Sequence, residues 1–456
     1  MATRKFISLR EDWVRGDAAP DVFAFREGRA AHEASDRFVH GAAAPQILSG
    51  GPGPVVGTEG DDSLVGTSDS DVLIGLGGND TLDGGAGTDV LMGGDGNDVL
   101  RDLVNQAVPF NDVLDGGFGD DTYDLRANPI EPHNPRLVDA GGIDTVFSNH
   151  AFVLPDGFEN LELFEGSSGT GNAVNNVITT HTNEEGSYRV DGADGDDTLV
   201  GGAAQDLFLF EAGSGRYGND RVDGGDNFDT MNFSGARSGI IADMRAGTLS
   251  GGGTDGEGTV TYARIEAIHG GAFDDRLVAH DGALWVDPSG TEIFSGPRLN
   301  GGGGKDTLLG GAASDSLWGE PGSDRLSGGA GSDFMRGDGG PFHPDGAAGP
   351  DQFIFDVAPG IENADRIGDF VSGSDEILLD DAVHAELGGA GRLAADDPRF
   401  AATATGAAQD ANDRVIYNTT TGDLWHDPDG DGAASAQLVA TLIGAPGLTP
   451  PDIVII

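Results

Sequence analysis

The chain has 456 residues, with 77 acidic against 25 basic side chains, a formal net charge of −52 and no cysteine. So acidic a surface excludes nucleic acid, which needs a basic face, and disfavours anionic membrane. Nothing points to disulfides, and 78 glycines with 7% aromatics favour turns and thin cores over a bulky globular enzyme.

The N-terminus, MATRKFISLREDWVRGD, has a basic start but lacks an apolar run of signal-peptide length. No stretch is long enough to cross a membrane. On these features alone a cytosolic chain is expected. Within residues 1–48, FISLREDWV reads as a strand or a short helix and DVFAFREG as a strand. This segment includes Arg4, Lys5, Arg10, Arg15, Arg26, Arg29 and Arg37. It reads equally as an N-terminal cap over the first coil or as a solvated leader.

A nonapeptide template then takes over, G-G-x-G-x-D-x-U-x with U a large apolar residue, clearest in GLGGNDTLD, GGAGTDVLM and GGDGNDVLR (75–101). Copies start at Gly57, Gly66, Gly75, Gly84, Gly93, Gly116, Gly192, Gly201, Gly270, Gly301, Gly310, Gly319 and Gly328. The sixth position is always Asp, and the eighth is Leu, Tyr, Phe or Met. A Gly/Asp-rich disordered tract would match the composition, but it would not hold Asp and Leu in phase. A short fixed period marks units that must stack to bury their apolar side.

Glycine in the first half suits a tight turn. D-x-U-x alternates polar and apolar residues, as a short half-buried strand does. Two nonapeptides make one circuit, so turns two repeats apart stack about 4.8 Å from each other. Asp62, Asp80 and Asp98 then line one edge and Asp71 and Asp89 the other; later Asp306 meets Asp324, and Asp315 meets Asp333. Stacked carboxylates repel unless a cation lies between them. Calcium fits, because it takes six to eight carboxylate and carbonyl oxygens, whereas magnesium prefers a rigid octahedron and keeps its waters. About a dozen such ions would offset roughly 24 negative charges.

These repeats resemble the RTX (repeats-in-toxin, hemolysin-type) nonapeptide family, whose motif is a known calcium-binding repeat. The resemblance implies an all-β chain, a parallel β-roll or β-solenoid with spacer strands between repeat blocks. It implies calcium, as several ions, held by sixth-position Asp62, Asp71, Asp80, Asp89, Asp98, Asp121, Asp197, Asp206, Asp306, Asp315, Asp324 and Asp333. The turns supplying carbonyls would include Gly75, Gly78, Gly84, Gly87, Gly93, Gly96, Gly301, Gly304, Gly319, Gly322, Gly328 and Gly331. Asp69, Ala204, Phe273 and Ala313 depart from glycine at the fourth position. Phe273 is expected to crowd its turn, and the copy at 270–278 stands alone in sequence, so no metal is expected there. The copy at 116–124 is set apart by residues 102–115, which predicts an incomplete site.

Between the repeat runs, 138–180 alternates apolar and polar residues and resembles the spacer strands of that family, as do parts of 224–268; no chemistry is expected in 138–180. Residues 206–213 read as a strand closing a coil, and 337–351 as a Gly/Pro-rich surface excursion. Near the end, VIYNTTTGDLWHD reads as a hairpin. Asp427-Pro-Asp429-Gly-Asp431-Gly432 resembles the start of an EF-hand loop, but Leu438 stands where the twelfth-position Glu should be, so a polar turn is expected. Asp452-Ile-Val-Ile-Ile is similar to the uncleaved C-terminal signal of RTX proteins exported by the type I pathway, and also reads as a final core strand.

No H-E-x-x-H and no G-x-S-x-G occur, so the zinc-protease and nucleophile-elbow sites of RTX enzymes are missing, and no catalytic residue is assigned. The expected division is a non-repeat segment 1–48, a first roll block 49–136, spacer strands 137–185, a short second block 186–236, a spacer with one degenerate repeat 237–300, a third block 301–356 and a capping and secretion region 357–456. The function expected is a secreted, extracellular calcium-binding protein that folds on meeting Ca2+, with the type I secretion machinery as partner. The sequence leaves a cell-surface or self-association partner open. The alternatives are a surface-layer or adhesin-type structural protein, and a secreted enzyme with an unrecognised site.

Overall fold

The structure, a computed structural model, describes residues 53–101, 112–126, 135–181, 186–210, 217–282, 296–339 and 349–456, with two short strands at Arg37–Phe38 and Gln46–Ile47. The readings of FISLREDWV and DVFAFREG, and most of the excursion at 337–351, lie outside the described residues.

Each D-x-U-x half-repeat forms a strand, and successive strands go alternately to two facing sheets. Ser63–Val65, Thr81–Asp83, Val99–Arg101 and Thr122–Asp124 pair in parallel on one side. Val55–Val56, Val72–Gly77, Val90–Asp95 and Val113–Phe118 do so on the other. The two N-terminal strands extend these sheets, Arg37 pairing with Val55 and Gln46 with Leu64. The chain is therefore a parallel β-roll with two residues of side-chain period and one buried face per strand.

The core is a set of columns built from the eighth position. Leu64, Leu82, Leu100, Tyr123, Val146, Leu161, Ile178, Leu199 and Val222 lie in register, one per coil. A second column runs Leu277, Leu308, Leu326, Phe353, Ile377 and Ile453. Every residue of both columns is 0–1% exposed. At about 25 cal/mol per Å2 of apolar surface buried, such columns are the main favourable term.

The coil continues through the segments that lack the template. Thr145–Ser148, Asn160–Phe164 and Val177–His181 carry the first sheet on to Thr198–Val200. Between the repeat runs the parallel order is interrupted where Thr248–Gly251 runs antiparallel to both Ile240–Asp243 and Thr259–Ala263. There the core thickens with aromatics: Phe210 stacks on Phe233 at 4.3 Å, and Tyr217 meets both edge-on. Among the described residues there is no α-helix, only two short 3-10 turns.

At the C-terminal end Gln437–Leu442 joins Asp365–Ile367 in parallel, then Asp423–His426 and Val415–Asn418 follow as the antiparallel hairpin expected from the sequence. The last strand, Ile453–Ile455, pairs with Glu376–Leu379 and with Gly391–Arg392. Asp452 anchors the turn before it, accepting from the Thr449 and Gly373 backbone N–H groups and from the Ser372 hydroxyl.

Candidate metal centre

Each sixth-position Asp opens a strand just after a tight turn, so its carboxyl tucks under the turn instead of reaching solvent. In Asp80, Asp89, Asp98, Asp121, Asp197, Asp306, Asp324 and Asp333, Oδ1 accepts the backbone N–H of the corresponding residue one coil earlier, whereas Oδ1 of Asp206 and Asp315 is buried with no partner among the described residues. Asp62 N–H donates to Asp80 at 2.7 Å, Asp80 to Asp98 at 2.7 Å and Asp98 to Asp121 at 2.8 Å. On the opposite edge Asp71 N–H donates to Asp89 at 2.8 Å. In the later run Asp306 N–H donates to Asp324 at 2.8 Å and Asp315 N–H to Asp333 at 2.7 Å. The two-edge pairing expected from the sequence is thus present.

The second carboxylate oxygen is the informative one. Oδ2 of Asp80, Asp98, Asp121, Asp197, Asp306, Asp324 and Asp333 is buried and has no hydrogen-bond partner among the described residues. A buried ionised oxygen left so is costly. Asp62, Asp71, Asp206 and Asp315 stand in the same ladders, but their Oδ2 accepts from a turn N–H, of Thr58, Thr67, Gly202 and Gly311 respectively.

Glycine at the first position is what lets the carboxyl fold under. A Cβ on Gly75 would lie 2.1 Å from Asp80 Oδ2 and 2.6 Å from the Gly93 carbonyl oxygen; on Gly93 it would lie 2.1 Å from Asp98 Oδ2 and 2.6 Å from the Gly116 carbonyl. The same clash arises at Gly84, Gly301, Gly319 and Gly328 with Asp89, Asp306, Asp324 and Asp333. Fourth-position Gly78, Gly87, Gly96, Gly304 and Gly331 have φ between 106° and 140°, and Gly322 stacks on the Gly304 carbonyl without a positive φ. Carboxylate and carbonyl oxygens therefore converge on each turn with no soft donor among them. That donor set fits a hard divalent cation such as Ca2+.

Burial pushes the carboxyls of Asp80, Asp89, Asp197 and Asp306 up, and adjacent carboxylates push the same way, against the lowering effect of the ladder hydrogen bonds. Asp80 rises to about 6, Asp89 to about 7, and Asp197 and Asp306 to about 8. Without a cation the turns favour protons.

The ladder runs further than the full template does. Asp89 N–H donates to Asp112, Asp121 to Asp144, Asp144 to Glu159, Asn176 to Asp197, Asp197 to Asp220 and Asp206 to Asp229. Asp229 passes it to Glu266, Asp324 to Asp351, Asp351 to Asp375 and Asp333 to Asp365. Sequence reasoning missed these because it asked for glycine and aspartate together. The signal that finds most of them is D-x-U alone: Asp112-Val-Leu114, Asp144-Thr-Val146, Asp220-Arg-Val222, Asp229-Thr-Met231 and Asp351-Gln-Phe353.

Two copies that stand apart in sequence are stacked on their neighbours in space. The copy at 116–124 is not set apart in space: Thr122 pairs with Val99, and 112–115 supplies the opposite edge of the same coil. The copy at 270–278 is stacked on the third run, Arg276 pairing with Thr307 and Asp275 N–H donating to Asp306 at 2.7 Å. Phe273 does not crowd the turn, because its side chain is exposed. Stacking follows strand register, which linear separation hides. In the loop that resembles an EF-hand, Asp427 Oδ1 accepts the Asp429 and Gly430 N–H groups, as a polar turn requires.

The model of the RTX calcium-binding nonapeptide repeat matches the chain in four copies, at residues 56–91, 65–100, 109–127 and 298–340. The chain carries RTX calcium-binding repeats. The resemblance read from the nonapeptides is therefore borne out, as is the β-roll that RTX repeats form. RTX repeats bind Ca2+, and the four matches fall on the coils with the fullest glycine template. No curated protein matches the chain.

Proposed function

We propose that this is a secreted protein whose roll folds by taking up extracellular Ca2+ between stacked turns. What carries the reading is the row of buried Oδ2 atoms without partners, among them those of Asp80, Asp98 and Asp324, which share their turns with the carbonyl oxygens of Gly93, Gly116 and Gly337. The sixth-position aspartates named from the sequence, with the turn glycines between them, would hold the ions. Calcium would supply counter-charge and fix each turn against the next, so its binding energy serves as folding energy.

At the low calcium of a cytosol, 77 acidic against 25 basic residues oppose compaction. The chain then stays extended and fit for one-step export, with Asp452–Ile456 as part of the C-terminal signal. Outside the cell, sites of about 10−4–10−3 M affinity, the range of extracellular modules, would fill, and neighbouring coils would fill together.

Circular dichroism of the full chain during calcium titration tests this. The expected result is a coil-to-β transition with Ca2+ and a weak one with Mg2+. In Asp89→Ala and Asp324→Ala the midpoint should move to higher calcium. Full sheet content in excess chelator, with no gain in melting temperature on adding Ca2+, would overturn it.

A further inference from the structure

The coil that follows the 116–124 repeat breaks the rule of a first-position glycine. Counting back five residues from Asp144 lands on Asp139, the place that Gly116 holds relative to Asp121 and Gly75 to Asp80. At Gly116 a Cβ would lie 2.1 Å from Asp121 Oδ2. Asp139 carries that Cβ and a carboxylate besides.

Ligand oxygens of Asp121, Asp139 and Asp144 all lie within 4.8 Å of one another, the one such cluster of three among the described residues. Asp121 is 1% exposed and Asp144 0% exposed. Oδ2 of each, and Oδ1 of Asp139, have no hydrogen-bond partner among the described residues. The strand Arg136–Val138, which ends just before Asp139, is pinned by Tyr123, whose hydroxyl donates to the Val138 carbonyl at 2.7 Å and accepts the Gly116 N–H at 2.9 Å. Three carboxylates are thus held together on fixed backbone, two of them aimed inward with an open lone pair.

We infer that Asp121, Asp139 and Asp144 form a distinct Ca2+ site at the seam between the first repeat run and the coils after it, tighter than the glycine-first turns and filled before them. Affinity in oxygen-ligand calcium sites rises with the number of charged ligands and with rigidity, and this turn adds one carboxylate to the usual set. Early filling would fix Thr122–Asp124 against Thr145–Ser148 and so give the first run a seated end on which to propagate. The inference rests on the calcium reading above.

The test is isothermal titration calorimetry of the full chain with CaCl2 at neutral pH, with circular dichroism followed in parallel. Wild type should show one site per chain at least about tenfold tighter than the rest. Asp139→Gly installs the residue other coils carry there, so it threatens folding least. It should abolish the tight class while the later transition stays in place. Asp306→Asn should do the reverse, weakening the later transition and keeping the tight site. A chain that folds with calcium but shows no tight class, or whose tight class survives Asp139→Gly, overturns this site alone. A chain that takes up no calcium overturns it together with the broader reading.

Discussion

Alanine at position 75 would put a methyl group 2.1 Å from Asp80 Oδ2 and 2.6 Å from the Gly93 carbonyl oxygen, whereas at position 60 the nearest atom is Thr58 Oγ1 at 3.9 Å. Both positions are turn glycines of the same repeat run, so the comparison separates a general preference for glycine from a requirement for close approach. Overpacking of this kind costs about 1–3 kcal/mol, and here it also displaces an oxygen that would serve calcium. Gly75→Ala should lower the melting temperature in saturating calcium and raise the calcium midpoint. Gly60→Ala should leave both within error. Equal effects from the two would mean that first-position glycine has no part in seating the carboxyl.

Strands, in this fold, are two to six residues long among the described residues and stable only as neighbours, so the ends of the stack matter more than any one strand. Ile453–Ile455 is such an end: Ile453 and Ile455 are buried, and the strand lies between Glu376–Leu379 and Gly391–Arg392. Deleting 453–456 would uncover the edge of Glu376–Leu379, and an exposed apolar edge invites pairing with another chain. Purified truncated protein in calcium should melt lower and sediment as larger species than wild type, whatever the same deletion does to export. An unchanged melt and a monodisperse product would show that the strand adds nothing to the roll. Most of this architecture was legible beforehand, since Leu82, Leu91 and Leu100 fell at one phase and the two-edge stacking followed from their period. Less legible were the coils where the phase survives without the glycines. Asp220 and Asp229 have the D-x-U half and the ladder bond, but Arg216 stands at the second position of one copy and Asn227 at the fourth of the other, where the template asks for glycine. Asp139 was hidden for the opposite reason, as a carboxylate standing where the template demanded glycine. Register fixes such residues in space, and register depends on how many residues separate one coil from the next, as between Arg101 and Asp112, which no local pattern records.

Across the whole molecule, the buried carboxylates couple folding to protons as well as to calcium. Burial, reinforced by neighbouring carboxylates, pushes Asp80 up to about 6, Asp324 to about 7, Asp197, Asp306 and Asp351 to about 8, and Asp229 to about 9. In the unfolded chain these groups titrate near about 3.9. Between those limits the metal-free folded state binds more protons than the unfolded one, so its stability falls as pH rises. The protonated groups' contribution is whole below pH ~4 and lost progressively as pH passes through about 6 to 9. Calcium competes for the same oxygens and needs them ionised, so binding must release protons and must tighten as pH rises. In excess chelator, sheet content by circular dichroism should therefore be higher at pH 5 than at pH 8. At pH 6.5 the calorimetric heat of calcium binding should vary with the ionisation enthalpy of the buffer. Chelated protein equally unfolded at both pH values, with buffer-independent heats, would mean that these carboxyls are not buried as the roll places them. Acid and calcium would then act on this chain through something other than the stacked turns.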